Sequence, residues 1–356
     1  MKICYIFSNF HQTKLTGQAG IMFKLIQKAK ARYQKVLVIS NSNDDKSYQG
    51  QNLKALLLKG DDDAKAFLFS TFRLIKFLKH EKPDIVHVNG ALMTIYFSLL
   101  NIFLRLPTVC LLTEVLDNIH PLLRSLYIWC LKKTQYLFIT SIYMEKMLIK
   151  MGVLKSQISV VRLGLDPQFL SIQQPINEPV DIIFFGDNNR DRGFDHIYSL
   201  AKQLPQHSFQ ILLRYKQNDC LPELAKMEHF PNVSIQQYPY QEPLELKLSK
   251  AKLIVLPFRW MLIRPPISIV EAMALGKCVI TSTMKGNEEI ITDGVNGILV
   301  DPSDTKTVIS RINFLLTDDP QRNKIGINAR RQIEKLYNRE EYDKIFRIYS
   351  LINRKT

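Results

Sequence analysis

The stretch RPPISIVEAMALGKCVITSTMKGNEEIITDGVNGILV, Arg264 to Val300, constrains the fold of this chain more than any other. It reads as helix, strand, short helix, strand. Pro265 and Pro266 open a run of helix-favouring residues, Ile267 to Leu275, and Gly276 closes it. Cys278 to Thr281 is a short β-branched strand, and Gly286 lets the backbone turn before Asn287 to Ile291. Strands and helices alternating in this way specify a layered α/β fold. A helix start aimed into a cleft offers bare backbone N–H groups and a positive dipole end, which suits phosphate or a sugar hydroxyl. Glu271 sits early in this otherwise apolar helix. Its carboxylate either satisfies nearby N–H groups or receives the hydroxyls of a ribose.

Within this stretch, VEAMALGKCVITSTMKGNEEIITDGVNGILVDP resembles the donor-site signature of family-4 (group 1) glycosyltransferases, retaining enzymes with the GT-B fold. Their pattern ends a glutamate-x7-glutamate motif in EAMA-x-G, followed by a strand, a Gly-containing loop, E-(I/L/V)-I and DG-x-x-G. Glu271 matches the second glutamate and Glu289 the glutamate of the loop, beside Gly286, Asn287 and Glu288. Ile263 replaces the first glutamate, which family members use close to the donor sugar. The resemblance runs from PDIVHVNG (83–90) to the closing helices. It implies two doubly wound, Rossmann-like α/β domains facing each other across a cleft. Residues 1–166 form the acceptor side, 167–179 a polar linker and 180–337 the nucleotide-sugar domain. Residues 338–356 hold a last helix crossing back onto the first domain.

The remaining positions follow in chain order. Lys2 to Ser8 is a strand, and Gly17 and Gly20 stand where the family carries a Gly-rich turn before a helix from about Ile21. Ala64 to Lys79 reads as a helix. PDIVHVNG is a buried strand resembling the family's His-x-His strand, here His87 and Asn89. Glu114 and Asp117 follow the strand Thr108 to Thr113, where many relatives have histidine; with His87 and Asn89 they are the acceptor-side candidates. RLGLDPQF (162–169) resembles the segment leading into the hinge. The second domain opens with VDIIFFG, whose Gly186 leads into DNNRDRGF and a helix starting at Gly193. Asp187 stands where the family has arginine, while Arg190 and Arg192 carry the charge that would neutralise a departing diphosphate. Tyr238 and Tyr240 lie in the turn where relatives contact the nucleotide base.

Charge is placed unevenly. Of the net +15, residues 1–165 hold 23 Lys and Arg against 10 Asp and Glu, which points to an anionic partner for the first half. The basic residues fall on amphipathic stretches such as 24–35 and 70–82, and this pattern suits a lipid surface better than nucleic acid. The apolar helix Ala91 to Leu104 falls short of the ~20 residues that span a bilayer, but Tyr96, Phe97 and Phe103 could dip into an interface. So could LLRSLYIWCLKK (122–133), which carries Trp129. Five scattered cysteines without a CxxC pair suggest buried thiols in a reducing, cytoplasmic setting. The short run Ile3 to Phe7 reads as a first strand and not a signal peptide.

The resemblance implies a retaining transfer of a sugar from a nucleotide-diphospho-sugar to a hydroxyl of a saccharide or lipid-linked acceptor. The resemblance places Arg190, Arg192 and Glu271 at the reaction, with no cofactor and no metal. Cell-envelope polysaccharide or glycolipid synthesis, at the inner face of the membrane, is the setting this suggests. A nucleotide-sugar epimerase and a non-catalytic binding subunit are the alternatives.

Overall fold

The computed structural model describes residues 1–7, 17–41, 52–58, 67–113, 121–172, 180–213, 222–238, 242–259, 264–338 and 340–354. The chain divides into two compact units, Met1–Gly164 with Arg339–Thr356, and Leu165–Asn338.

The first unit alternates strand and helix: β1 (Lys2–Ile6), α1 (Gly17–Arg32), β2 (Lys35–Asn41), β3 (Leu53–Leu58), α2 (Thr71–Glu81), β4 (Ile85–Asn89), α3 (Ala91–Leu104), β5 (Thr108–Leu112), α4 (Pro121–Lys133), β6 (Tyr136–Ile139), α5 (Ile142–Lys150) and β7 (Ile158–Val160). All seven strands are parallel, in the order β3-β2-β1-β4-β5-β6-β7. Helices cover both faces of such a sheet, so its central strands are apolar along their whole length. Every residue of β4 and β5 is buried. Gly17 and Gly20, read from sequence as a turn, belong to α1 itself. Of the predicted helix 64–79, residues 67–69 are helical, Ser70 is a turn, and α2 then runs Thr71–Glu81; residues 64–66 lie outside the described residues.

The second unit contains α6 (Gln168–Ser171), β8 (Val180–Gly186), α7 (Phe194–Gln203), β9 (Phe209–Leu213), α8 (Pro222–Met227), β10 (Val233–Gln237), α9 (Leu244–Leu248), β11 (Ala251–Leu256), α10 (Ile267–Ala274), β12 (Cys278–Ser282), α11 (Lys285–Glu288), β13 (Ile298–Val300), α12 (Thr305–Thr317) and α13 (Asp319–Leu336). Its sheet is also parallel, ordered β10-β9-β8-β11-β12-β13. Gly276, at φ +71°, ends α10: its N–H reaches Met273 O at 2.9 Å, and Lys277 N–H reaches Ala272 O at 3.2 Å. A Cβ on Gly326 of α13 would lie 2.0 Å from Gly276 O, so a glycine there lets the two helices touch.

The last helix, α14 (Glu340–Asn353), belongs to the first unit. Tyr342, Ile345, Phe346 and Tyr349 join Ile3, Tyr5, Leu25 and Val36 in one core, on the face that α1 also covers. Lys28 lies 4.9 Å over the Tyr342 ring, and Arg32 Nη1 donates to Asp343 Oδ1 at 2.8 Å. The opposite face packs α2 and α3 through Leu74, Leu78, Met93 and Phe97. Among the described residues no helix is long and apolar enough to cross a membrane.

Candidate functional site

Parallel sheets of this type bind ligands beyond the carboxyl ends of their strands, where the strand order reverses. In the second unit that point lies between β8 and β11. Predicted Gly186 ends β8 there, and predicted Arg190, Arg192 and Gly193 follow it. Gly193 sits at φ +72°, and a Cβ on it would lie 1.8 Å from Pro257 O, so only glycine allows this approach. The loop after β8 thereby rests on the loop after β11. Two bonds shape the β8 loop, Gly193 N–H to Arg190 O and Arg192 N–H to Asn189 Oδ1, both at 2.9 Å, and Arg259 N–H to Asp191 O at 3.0 Å ties it to the β11 loop.

The two predicted arginines differ. Arg190 is exposed. Arg192 is half-buried, its guanidinium 5.3 Å over the Phe258 ring and its Nε 3.7 Å from Asp187 Oδ2. Asp187, which replaces an arginine of the family pattern, therefore orients the neighbouring arginine through its charge. Sequence reasoning missed Arg259, three residues past the carboxyl end of β11. Its Nε donates to His196 Nε2 at 3.0 Å, and its Nη2 pairs with the Asp195 carboxylate. Burial and the Arg259 charge hold His196 below its ordinary range, against Asp195 and Asp301. An arginine just past a strand at the reversal point was the available signal.

A line of hydrogen bonds continues across the edge. Thr281 Oγ1 donates to Leu256 O at 2.7 Å and Ser282 Oγ to Phe258 O at 2.5 Å. Asn287 Nδ2 donates in turn to Ser282 O at 2.8 Å. The sequence-predicted Asn287 thus works as a fully buried support for the tips of β12 and β11. Gly286 is buried beside it, Glu289 is half-buried and Glu288 is exposed. Glu271 is only 8% exposed in the second turn of α10, a helix whose start carries no side-chain cap. Asn188, directly after β8, is completely buried. Tyr238 is buried at the end of β10, with its N–H given to Leu213 O at 3.0 Å. Tyr240 and Ile263 lie outside the described residues.

In the first unit the corresponding reversal lies between β1 and β4. Gly17 and Gly20 begin the helix after β1. Asn89, at the tip of β4, donates from Nδ2 to Leu111 O at 2.9 Å and so ties β4 to β5. His87 is not at an edge. It is fully buried in mid-strand, stacked 5.9 Å from Phe138 and hydrogen-bonded through Nδ1 to the Tyr349 hydroxyl. Burial lowers its pKa to about 3. The structure places it in the core of the first unit. Glu114 and Asp117 lie outside the described residues.

Residues 168–332 match the family described as "Glycosyl transferases group 1", and residues 16–169 match "Glycosyltransferase Family 4". An uncharacterized 41.2 kDa protein in the cps region of Klebsiella pneumoniae is 22% identical over 259 residues, 66% of this chain and 70% of its own. The capsular polysaccharide biosynthesis glycosyltransferase CapM of Staphylococcus aureus is 34% identical over 65 residues, 18% of this chain and 17% of its own. Among solved structures, Anabaena HepE in complex with UDP superposes with a TM-score of 0.82 at 15% identity, covering 98% of this chain and 100% of that one.

Proposed function

The chain belongs to the group 1 glycosyl transferases and has the GT-B fold, and from that premise we propose that it is a retaining transferase. It moves a sugar from a nucleotide-diphospho-sugar to a hydroxyl of a saccharide or lipid-linked acceptor in cell-envelope polysaccharide or glycolipid synthesis. The capsule-related relatives and the UDP complex of HepE support this reading. The observation that carries it is the edge between β8 and β11. There Arg192 is held over Phe258 by Asp187, and Gly193 lets the two loops meet.

In this reading Arg192, with Arg190, neutralises the charge that builds on the departing diphosphate. Guanidinium groups suit that task because they stay charged and bind phosphate bidentately. The Glu271 carboxylate accepts hydrogen bonds from the ribose hydroxyls. The bond between the anomeric carbon and the diphosphate oxygen breaks, and the acceptor oxygen bonds to that carbon on the same face. The leaving phosphate oxygen takes the acceptor's proton, so charge and atoms balance without a second carboxylate. Arginines and helix starts do the charge work, and the reading needs neither metal nor cofactor. We assign acceptor recognition to the first unit, whose basic surface faces the cytoplasmic side of an anionic membrane.

A second reading, a non-catalytic nucleotide-sugar-binding subunit, draws on Asp187 already pairing with Arg192 and on Ile263 in place of a glutamate. A thermal-shift series against UDP-, GDP-, ADP- and CDP-sugars separates the possibilities. One donor should raise the melting temperature, since ligand at about 100 times its Kd adds roughly 2.7 kcal/mol. Glu271→Ala and Arg192→Ala should each abolish that rise. Stabilisation with neither transfer nor slow hydrolysis of the donor favours the second reading. Absence of any rise overturns both.

A further inference from the structure

Several basic, amphipathic stretches of the first unit suit a lipid surface in sequence, and the structure separates them. The apolar side of α1 is covered by α14, and Lys28 and Arg32 lie against Tyr342 and Phe346. The outer sides of α2 and α3 have no such cover among the described residues. Phe69 is 89% exposed, Phe72 80%, Phe103 84% and Ile102 54%.

Phe69 and Phe72 flank the start of α2, and Ile102 and Phe103 stand in the last turn of α3. Tyr96, in the middle of α3, donates its hydroxyl to Phe67 O at 3.1 Å and lies 2.9 Å from Thr71 Oγ1. The start of α2 is thereby fixed against the middle of α3. The exposed residues of α3, Leu92, Leu99, Ile102 and Phe103, are all apolar, and the helix contains no charged residue. That of α2 adds exposed Arg73 and Lys76. Residues 67–106 contain two carboxylates, Glu81 and Asp84. Glu81 is buried against Lys35 at 2.7 Å and Lys54 at 2.6 Å, and Asp84 accepts from Lys2 N–H at 2.6 Å. Both carboxylates of this segment are thus engaged with Lys2, Lys35 and Lys54.

We propose that the outer faces of α2 and α3 dock the protein onto the surface of an anionic phospholipid bilayer. The aromatic and aliphatic side chains enter the headgroup–acyl boundary, and Arg73 and Lys76 meet lipid phosphates. At 14 residues, α3 is too short to span and lies on the surface. A second copy of this chain is a poorer occupant, since like cations would face one another. The inference deepens the membrane part of the proposed function and names its surface, but it uses no property of the donor site.

The test is co-sedimentation of the full chain with phosphatidylglycerol–phosphatidylcholine vesicles and with phosphatidylcholine vesicles. We expect pelleting with the anionic vesicles only. The double variant Phe72→Asp, Phe103→Asp should lower partitioning by at least about tenfold, and Lys76→Gln by about fivefold. Phe314→Asp, which alters a half-exposed phenylalanine of α12, should change nothing. Equal pelleting on both vesicle types overturns the proposal, as does unchanged binding by the double variant. So does a wild-type dimer, seen by sedimentation velocity, that the double variant dissolves while vesicles bind neither. Lys76→Gln keeps the test decisive if the double variant misfolds. No nucleotide enters this assay and no vesicle enters the thermal-shift series, so either reading can fail alone.

Discussion

The hydroxyl of Tyr349 and Nδ1 of His87 share a hydrogen bond across 262 positions of sequence. The bond joins the last helix to the middle of β4, among Tyr5, Phe138 and Phe346. A histidine two residues before a strand tip resembles a ligand-binding group in sequence. Here it anchors a helix.

The burial of His87 makes stability depend on pH. Burial lowers the His87 pKa to about 3 in the folded chain, against 6.5 for an ordinary histidine. Below pH 6.5 the unfolded chain gains a proton that the folded chain refuses, so stability falls as pH falls toward 3. The slope is about 1.4 kcal/mol per pH unit. Denaturant unfolding at pH 7 and pH 5 should show a loss in wild type about 2 kcal/mol larger than in His87→Gln. Equal losses would mean that His87 protonates in place.

Glu81 works in the opposite direction on the acid scale. Burial opposes its charge, but hydrogen bonds from Lys35 and Lys54 prevail and hold its pKa at about 2, below the usual 4.5. Its contribution is complete above pH 4.5 and is lost as pH falls through 2. Glu81→Gln should cost about 2 kcal/mol at neutral pH, a value discounted for the half-exposed lysines. At pH 2 the difference from wild type should close, as read by thermal melts at both values.

Gly193 and Gly294 share φ +72°, but a Cβ on Gly193 meets Pro257 O while one on Gly294 meets nothing within 4 Å. Gly294→Ala should cost about 1 kcal/mol from backbone strain alone. Gly193→Ala should cost about 3 kcal/mol or more, because two loops must separate. Similar melting temperatures for the two variants would show that the loop contact is soft.

Arg192 is held by geometry as well as charge, through Phe258 and Asp187. Arg192→Ala should weaken nucleoside-diphosphate binding by about tenfold or more. Arg192→Lys should recover less than half of that loss in free energy, since an ammonium neither stacks on the ring nor bridges two phosphate oxygens. Isothermal titration with UDP and GDP measures both; full recovery by lysine would reduce the site to a point charge.

Much of this arrangement was legible from residue order. Ala91–Leu104 is helical as the sequence predicts, because Gly90 precedes it and Arg105 and Pro107 end it. The apolar runs of both sheets are strands because parallel sheets bury both faces. What escaped the reading was what covers each face. The α1 stretch and the α2 stretch both show cations beside apolar residues, yet α14 covers one and leaves the other open. Of the residues read as interface candidates, Phe97 is buried in the core, Tyr96 is half-buried against it, and Phe103 on the same helix is exposed. Arg259 looked like an ordinary loop residue until the fold set it beside His196 and Asp195. Asn287 carries a ligand-like pattern, and its Nδ2 is committed to Ser282 while its Oδ1 has no partner among the described residues. Distant partners of this kind leave no periodic trace in a single chain.

The first unit is built from two pieces of chain with the whole second unit between them. During synthesis, residues 1–164 emerge with one face of their sheet lacking Tyr342, Ile345, Phe346 and Tyr349. Leu165–Asn338 can complete its own core while the earlier segment still waits. Maturation therefore runs out of sequence order: the half made first is finished last, and its unfilled surface must be shielded until α14 leaves the ribosome.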